Sequence, residues 1–283
     1  MIMVMGRMII MAAIMTPAIR MTAVMITITR MRMITTIPIP AIATRIIMTA
    51  SKTKGTKGEA FAELPLLLWL SPTFPVGAFA YSHGLEWAVE AGDIADAASL
   101  GDWLNDLLKF GAPRNDAILF AAAHRAATKG DWSEFRRVSQ LAVALAGTAE
   151  RRLETLAQGS AFLAALRAAW RRPALDQWSE TAAEPIAYPI AVALGAAAHN
   201  LDLAPCLEAF LLAVLANLVS AAVRLGPIGQ SDGQRLLAAA LPRVRTIAAE
   251  AAAATLDDLG GCAFRSDIAA MRHETQYSRL FRS

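Results

Sequence analysis

Four histidines, two cysteines and one glycine-rich turn are the groups in this chain that could bind a metal, attack a substrate or cradle a phosphate. His83, His124, His199 and His273 never fall three or four apart, so no helix face carries two imidazoles as a zinc-type site would need. Each reads as a surface or structurally hydrogen-bonded histidine. Cys206 and Cys262 stand far apart without a CxxC spacing, which suggests no disulfide framework and fits a reducing, cytoplasmic setting. Gly226, Gly229 and Gly233 lack the dinucleotide spacing and follow no strand pattern, so they read as a helix–helix turn. The patterns G-x-x-x-x-G-K-S/T and H-E-x-x-H are absent, and the G-x-S-x-G of Gly229 to Gly233 follows no strand pattern, as a nucleophile elbow would require. The expectation is a protein with no catalytic residue, no metal ligand and no cofactor, and therefore not an enzyme.

The charge balance points the same way once the chain is divided. Residues 1–58 hold Arg7, Arg20, Arg30, Arg32, Arg45, Lys52, Lys54 and Lys57 and no acidic residue, together with eleven of the twelve methionines. This Met/Ile/Thr-rich stretch could be an export or transit signal, but it has no clear cleavage site and its low complexity runs on. It is read as an upstream extension, disordered or translated from a misassigned start, with Met48 an internal candidate. Residues 59–283 then carry 19 basic against 24 acidic side chains, a net charge of −5. A body of that sign lacks the basic face that nucleic acid requires. Nor does any apolar run in it suit a membrane: Ala209 to Val223 is bounded by Glu208 and Arg224 and interrupted by Asn217 and Ser220.

The elements that must position any site are helical almost throughout, with alternating strand patterns absent. Ser99, with Asp102 in the next turn, opens a helix presenting Trp103, Leu104, Leu107 and Leu108, closed by Gly111. A second runs from near Pro113 to Gly130. A third follows Asp131 and places Trp132, Phe135, Val138, Leu141 and Leu145 on one face. A long helix begins at Thr148 and stops at Arg171-Arg172-Pro173, and Pro189 starts another that ends near Asn200. Leu207, Phe210, Leu211, Val214, Leu215, Leu218, Val219 and Ala222 make a sustained helical stripe opposite Leu212, Ala213, Ala216 and Ala221. A helix apolar nearly all round is packed on several sides, so this one is expected at the centre. Asn217 within it either hydrogen-bonds inside the bundle or forms the polar wall of an internal channel. Ser231-Asp232-Gly233-Gln234 reads as the capping box of the next helix, and Leu256 to Ser266 as a looser connector. The expectation is an all-α, multi-helix bundle of about ten helices in a single domain over residues 59–283.

The last segment, residues 267–283, departs from the small polar composition of an ordinary terminus. Ile268, Met271, Tyr277, Leu280 and Phe281 alternate with Arg272, Arg279 and Arg282, beside His273 and Glu274. Apolar anchors interleaved with arginine are the makings of a docking surface. A terminal segment packed on its own core would account for them equally well.

The wording of this segment, Met271-Arg-His-Glu-Thr-Gln-Tyr-Ser-Arg-Leu-Phe281, resembles the ending of the UreF-type urease accessory proteins. Three further stretches resemble the same family in order: Ser71-Pro72 with Pro75-Val76-Gly77-Ala78-Phe79, Ser82 and Gly84-Leu85-Glu86; Tyr188-Pro189 with Gly195; and Asn217 with Arg224 to Gln234. The four span about Glu63 to Ser283. The resemblance implies an all-α homodimer, a nickel-insertion chaperone component that joins the UreD-type scaffold protein (UreH in some species) to the GTPase UreG on apo-urease, with nickel arriving from UreE. It implies that Met271, His273, Glu274, Tyr277, Arg279, Leu280 and Phe281 belong to the segment that orders on the scaffold protein. It also implies that Phe79 and Arg279 face the GTPase. Phe79 stands where members have Tyr, and Tyr81, two residues on, is the candidate to compensate. The competing implication is a regulator of the GTPase that presents Arg279 to the nucleotide site.

Overall fold

Prolines and short capping side chains set the helix boundaries of this protein, whose residues 63–181 and 185–283 are described from a computed structural model. The low-complexity extension, residues 1–58, lies outside the described residues. Among the described residues the chain forms eleven α-helices and no strand. They are α1 (Leu64–Trp69), α2 (Leu85–Glu90), α3 (Ala97–Phe110), α4 (Ala112–Lys129), α5 (Trp132–Ala144), α6 (Ala149–Ala169), α7 (Pro173–Thr181), α8 (Tyr188–Ala198), α9 (Leu203–Leu225), α10 (Gln230–Ala253) and α11 (Phe264–His273). The all-α bundle expected from periodicity is the architecture found.

Several boundaries follow the expected chemistry. Thr148 caps α6, its Oγ1 accepting the Arg151 N–H at 3.2 Å, and Asp131 caps α5 through the Glu134 N–H at 3.0 Å. Gly130 ends α4 with a left-handed φ of 69°. Two starts are corrected. α3 is capped by Asp96, whose Oδ1 accepts the Ser99 N–H while Ser99 Oγ accepts the Asp96 N–H, so Ser99 is the third helical residue and not the cap. At α10 the reciprocal acceptor is the Asp232 carboxylate, which takes the Gly229 N–H at 3.3 Å, so the helix begins at Gln230 ahead of Ser231. In both places an aspartate takes part in the box, as the cap that accepts a first-turn N–H at α3 and as the third helical residue that accepts the cap N–H at α10.

The centre of the bundle is also corrected. Every residue of α8 from Pro189 to Ala197 is buried, between α4, α6, α7 and α9, whereas Leu212, Ala213 and Ala216 of α9 are only half-buried. Small residues make this possible: a Cβ on Gly195 would sit 2.6 Å from Leu166 Cδ1. α9 is long and apolar enough to span a membrane by length and composition, yet half of its most apolar stretch is buried in the bundle. Leu145, expected on the inner face of α5, lies beyond the helix end and is exposed.

α2 and α11 approach each other more closely than ordinary side chains allow. Gly84, at φ 76°, precedes α2, and a Cβ there would lie 2.5 Å from the Ala270 nitrogen. This contact brings the end of the chain against α2 and the start of α6.

Candidate functional site

Residues 274–283 turn back from α11 and pair with the segment between Ala80 and Glu86. The Arg282 N–H donates to Ala80 O at 2.8 Å, and the Ser82 N–H donates to Ser283 O at 2.7 Å. Beneath this short pairing lie three glutamates. Glu86, in the first turn of α2, accepts the Leu280 N–H at 2.6 Å and the Phe281 N–H at 2.9 Å, and its Oε2 lies 3.1 Å from His273 Nε2. Glu150, in the first turn of α6, lies 2.6 Å from His273 Nδ1 and accepts Arg279 Nη1 at 2.7 Å. Glu154, one turn on, meets His83 at 2.6 Å, Arg151 at 2.9 Å and the Ser283 hydroxyl at 2.9 Å. Arg151 reaches Asp116 at 3.6 Å. Glu274 caps α6 from outside, its carboxylate accepting the Ala149 N–H at 3.0 Å.

Electrostatics explains why charges persist inside. Burial alone would raise the Glu154 carboxyl, but His83 and Arg151 outweigh it and hold the group down at about 2. Burial raises Asp116, with Arg151 opposing. A carboxyl held below its ordinary 4.5 stabilises the fold fully above that value and loses the contribution as pH falls towards about 2. Acid unfolding monitored by far-UV circular dichroism should therefore show a loss of stability across that interval. Glu154→Gln should flatten it; an unchanged acid limb would mean that Glu154 is not the group titrating.

The candidate residues divide into two sets. Tyr81, His273 and Phe281 are turned inward, and His273 is wholly buried. Phe79, Met271, Glu274, Tyr277 and Leu280 face outward, with Phe79 at 68 % and Leu280 at 64 % exposure. The Arg279 side chain is 39 % exposed despite its anchor on Glu150. Tyr81 does not stand beside the Phe79 ring at the surface; its carbonyl instead accepts Asn217 Nδ2 at 3.3 Å. Arg224 ties the two regions together, donating to Phe79 O and lying 4.1 Å over the Phe281 ring.

Asn217 thus bonds within the bundle and also lines a cavity of about 160 Å³ walled by Phe74, Phe79, Tyr188 and Phe210. His83, Asp116, Arg151 and Thr155 line both this cavity and a groove of about 590 Å³ on their other side, rimmed by Phe110, Leu145, Phe264, Ile268 and Met271. His124 and His199 bond to backbone carbonyls of Leu201 and Trp170, and burial lowers both. Cys206 is buried, its thiol pushed up to about 12, and Cys262 is exposed. Among the described residues no three His, Cys, Asp or Glu side chains are grouped to hold a metal ion.

Sequence reasoning singled out Ser82 and Glu86 within a family-like stretch without giving them a role, and missed Glu150, Arg151, Glu154 and Asp116. The available signal was Glu150 and Glu154 one turn apart with Arg151 between them, a charged face inside a helix that is otherwise a core element.

Comparison with known proteins finds relatives along most of the chain. The UreF family model matches residues 94–241. The chain is 58 % identical over 237 residues to "Urease accessory protein UreF" of Xanthobacter autotrophicus, covering 83 % of this chain and 98 % of the relative. It is 54 % identical over 218 residues to the protein of that name from Rhodopseudomonas palustris, covering 77 % and 92 %. The Methylobacterium radiotolerans protein of the same name is 54 % identical over 225 residues, covering 80 % and 98 %.

Proposed function

We propose a function that proceeds from one premise: the chain belongs to the UreF family of urease accessory proteins. Members are non-catalytic, and membership supports a role in urease maturation, the assembly of its nickel centre. The finer reading is a scaffold. The protein holds the UreG-type GTPase and the UreD/UreH-type protein on apo-urease, and GTP hydrolysis in its neighbour releases nickel towards the enzyme. The free energy comes from nucleotide-dependent differences in binding, as any such switch requires.

One observation carries this reading. From α11 onward, with Phe281 the exception, the large apolar side chains lie outside while several polar ones lie inside. Ser266, His273, Gln276 and Ser283 point inward, while Phe264, Ile268, Met271, Tyr277 and Leu280 point outward. A chain that buries polar groups and exposes large apolar ones gains nothing from that order by itself, but it gains when a partner covers the apolar side. Phe79 extends the strip through its Arg224 link. A second apolar surface, Leu64, Leu67 and Leu68 of α1, supports the homodimer.

The anchoring of Arg279 on Glu150 favours scaffold over regulator, because a guanidinium already paired with a carboxylate has less charge to offer a nucleotide. The test is a pair of exposed substitutions, Tyr277→Ala with Leu280→Glu. Surface changes of this kind should shift stability by no more than about 0.5 kcal/mol. Affinity for the scaffold protein should fall about 30-fold or more, as for loss of an interface anchor. Unchanged capture on a pull-down would refute the docking role of the strip.

A further inference from the structure

We infer that His273 is the cationic pin of a proton-sensitive clasp that holds the tail on the body. The argument is one of donors and acceptors. His273 is completely buried, and each ring nitrogen faces a carboxylate: Nδ1 to Glu150 at 2.6 Å and Nε2 to Glu86 at 3.1 Å. Both glutamates already accept from other donors. Glu86 takes the Leu280 and Phe281 N–H groups, and Glu150 takes the Arg279 guanidinium. Acceptors toward every other partner, they are acceptors toward the ring as well. An imidazole donates from both nitrogens only when both carry protons.

Loss of one ring proton to solvent therefore leaves a nitrogen lone pair facing a carboxylate oxygen, and removes a cation shared by two buried carboxylates, of which Glu150 keeps Arg279. The charged groups on the elements packed around the ring do not replace it. α2 contributes Glu86 and Glu90, and α9 contributes Arg224, which lies over the Phe281 ring and is bonded to Phe79 O. α6 contributes Glu150, Arg151 and Glu154, with Arg151 committed to Glu154, Asp116 and His83. The tail contributes Glu274 and Arg279, and α11 itself carries Asp267 and Arg272. Glu86 is the critical member, because the carboxylate that faces the ring also holds the tail backbone. With the pin neutral, Leu280 and Phe281 lose that hold, and the exposed strip beyond them loses its fixed geometry. The clasp itself is intramolecular; its consequence for partner capture rests on the scaffold reading above.

The full-length chain tests this without any variant. Imidazole ¹⁵N shifts of His273 report how many ring nitrogens are protonated. Exchange protection factors of the Leu280 and Phe281 amides, which divide out the intrinsic pH dependence of exchange, report the tail. Both nitrogens should be protonated while the amides are protected. On raising the pH, loss of one ring proton and an about ten- to hundredfold fall in protection should share one midpoint. His273→Gln, with a single donor group, should show lower protection that does not vary with pH. Three results would overturn the clasp: a singly protonated ring under a closed tail, protection indifferent to the ring's titration, or a ring that stays doubly protonated until global unfolding. If protection follows the ring while capture of the scaffold protein ignores pH, the clasp stands and the partner assignment fails.

Discussion

Arg151→Met is expected to destabilise the fold by about 3–5 kcal/mol, the cost of removing one partner from a buried ion cluster. The Arg151 side chain is 15 % exposed and that of Glu154 only 2 %. Methionine matches much of the arginine volume, so the loss is electrostatic more than steric. It strands Glu154 and leaves Asp116 without its cation. His83, Gln158 and the Ser283 hydroxyl remain on Glu154, without the permanent positive charge of the guanidinium. Against a typical stability of about 5–15 kcal/mol the effect is large, and urea unfolding will register it as a lower midpoint at similar slope. Adding Glu154→Gln should recover part of the loss, since the second change removes the stranded charge. A cost below about 1 kcal/mol, or no recovery in the double variant, would show that the cluster is solvated and not a core element.

Local signals made most of the fold legible and left the site almost invisible. Caps, prolines and helical stripes act within a few residues, so α4, α5, α6 and α8 lie where Asp131, Thr148, Pro113 and Pro189 imply. Where two cap-forming residues compete, as at Asp96 and Ser99, spacing alone does not rank them. The central position of α8 was missed for another reason: enclosure depends on how closely neighbours approach, and alanine and glycine permit an approach that a hydropathy stripe does not record. The clasp joins residues 82–86 to residues 273–283, nearly the full length of the body apart. No periodicity carries that information.

The tail also misdirects any reading based on burial by type. Its inward positions follow a helical spacing through Ser266, Ala269, Ala270, His273 and Gln276, then pass to alternation at Phe281 and Ser283. Most of those residues are polar or small, so composition points to the outward apolar side chains and leaves His273 looking like one of them. The same arrangement separates two roles that the sequence presents as one. Met271, Tyr277 and Leu280 supply exposed surface; His273, Phe281 and Ser283 supply attachment.

Deleting residues 271–283 is accordingly expected to do two things at once. Only three residues of α11 go with the deletion, so the far-UV helical signal at ambient temperature should change little. Stability should nevertheless fall by about 3–5 kcal/mol, because Glu86 and Glu150 lose His273, Arg279 and two backbone donors, and Glu154 loses Ser283. Capture of the scaffold protein should be abolished together with that loss. The deletion alone therefore cannot tell docking from folding, and its value lies in comparison with Tyr277→Ala/Leu280→Glu, which touches the exposed strip and spares the glutamates. Equal loss of capture in both, with stability lost only in the deletion, is the outcome required by a rigid strip mounted on a buried clasp. A deletion that leaves the urea midpoint unmoved would mean that the three glutamates rehydrate freely, and the tail would then be a tether with no structural hold on the bundle.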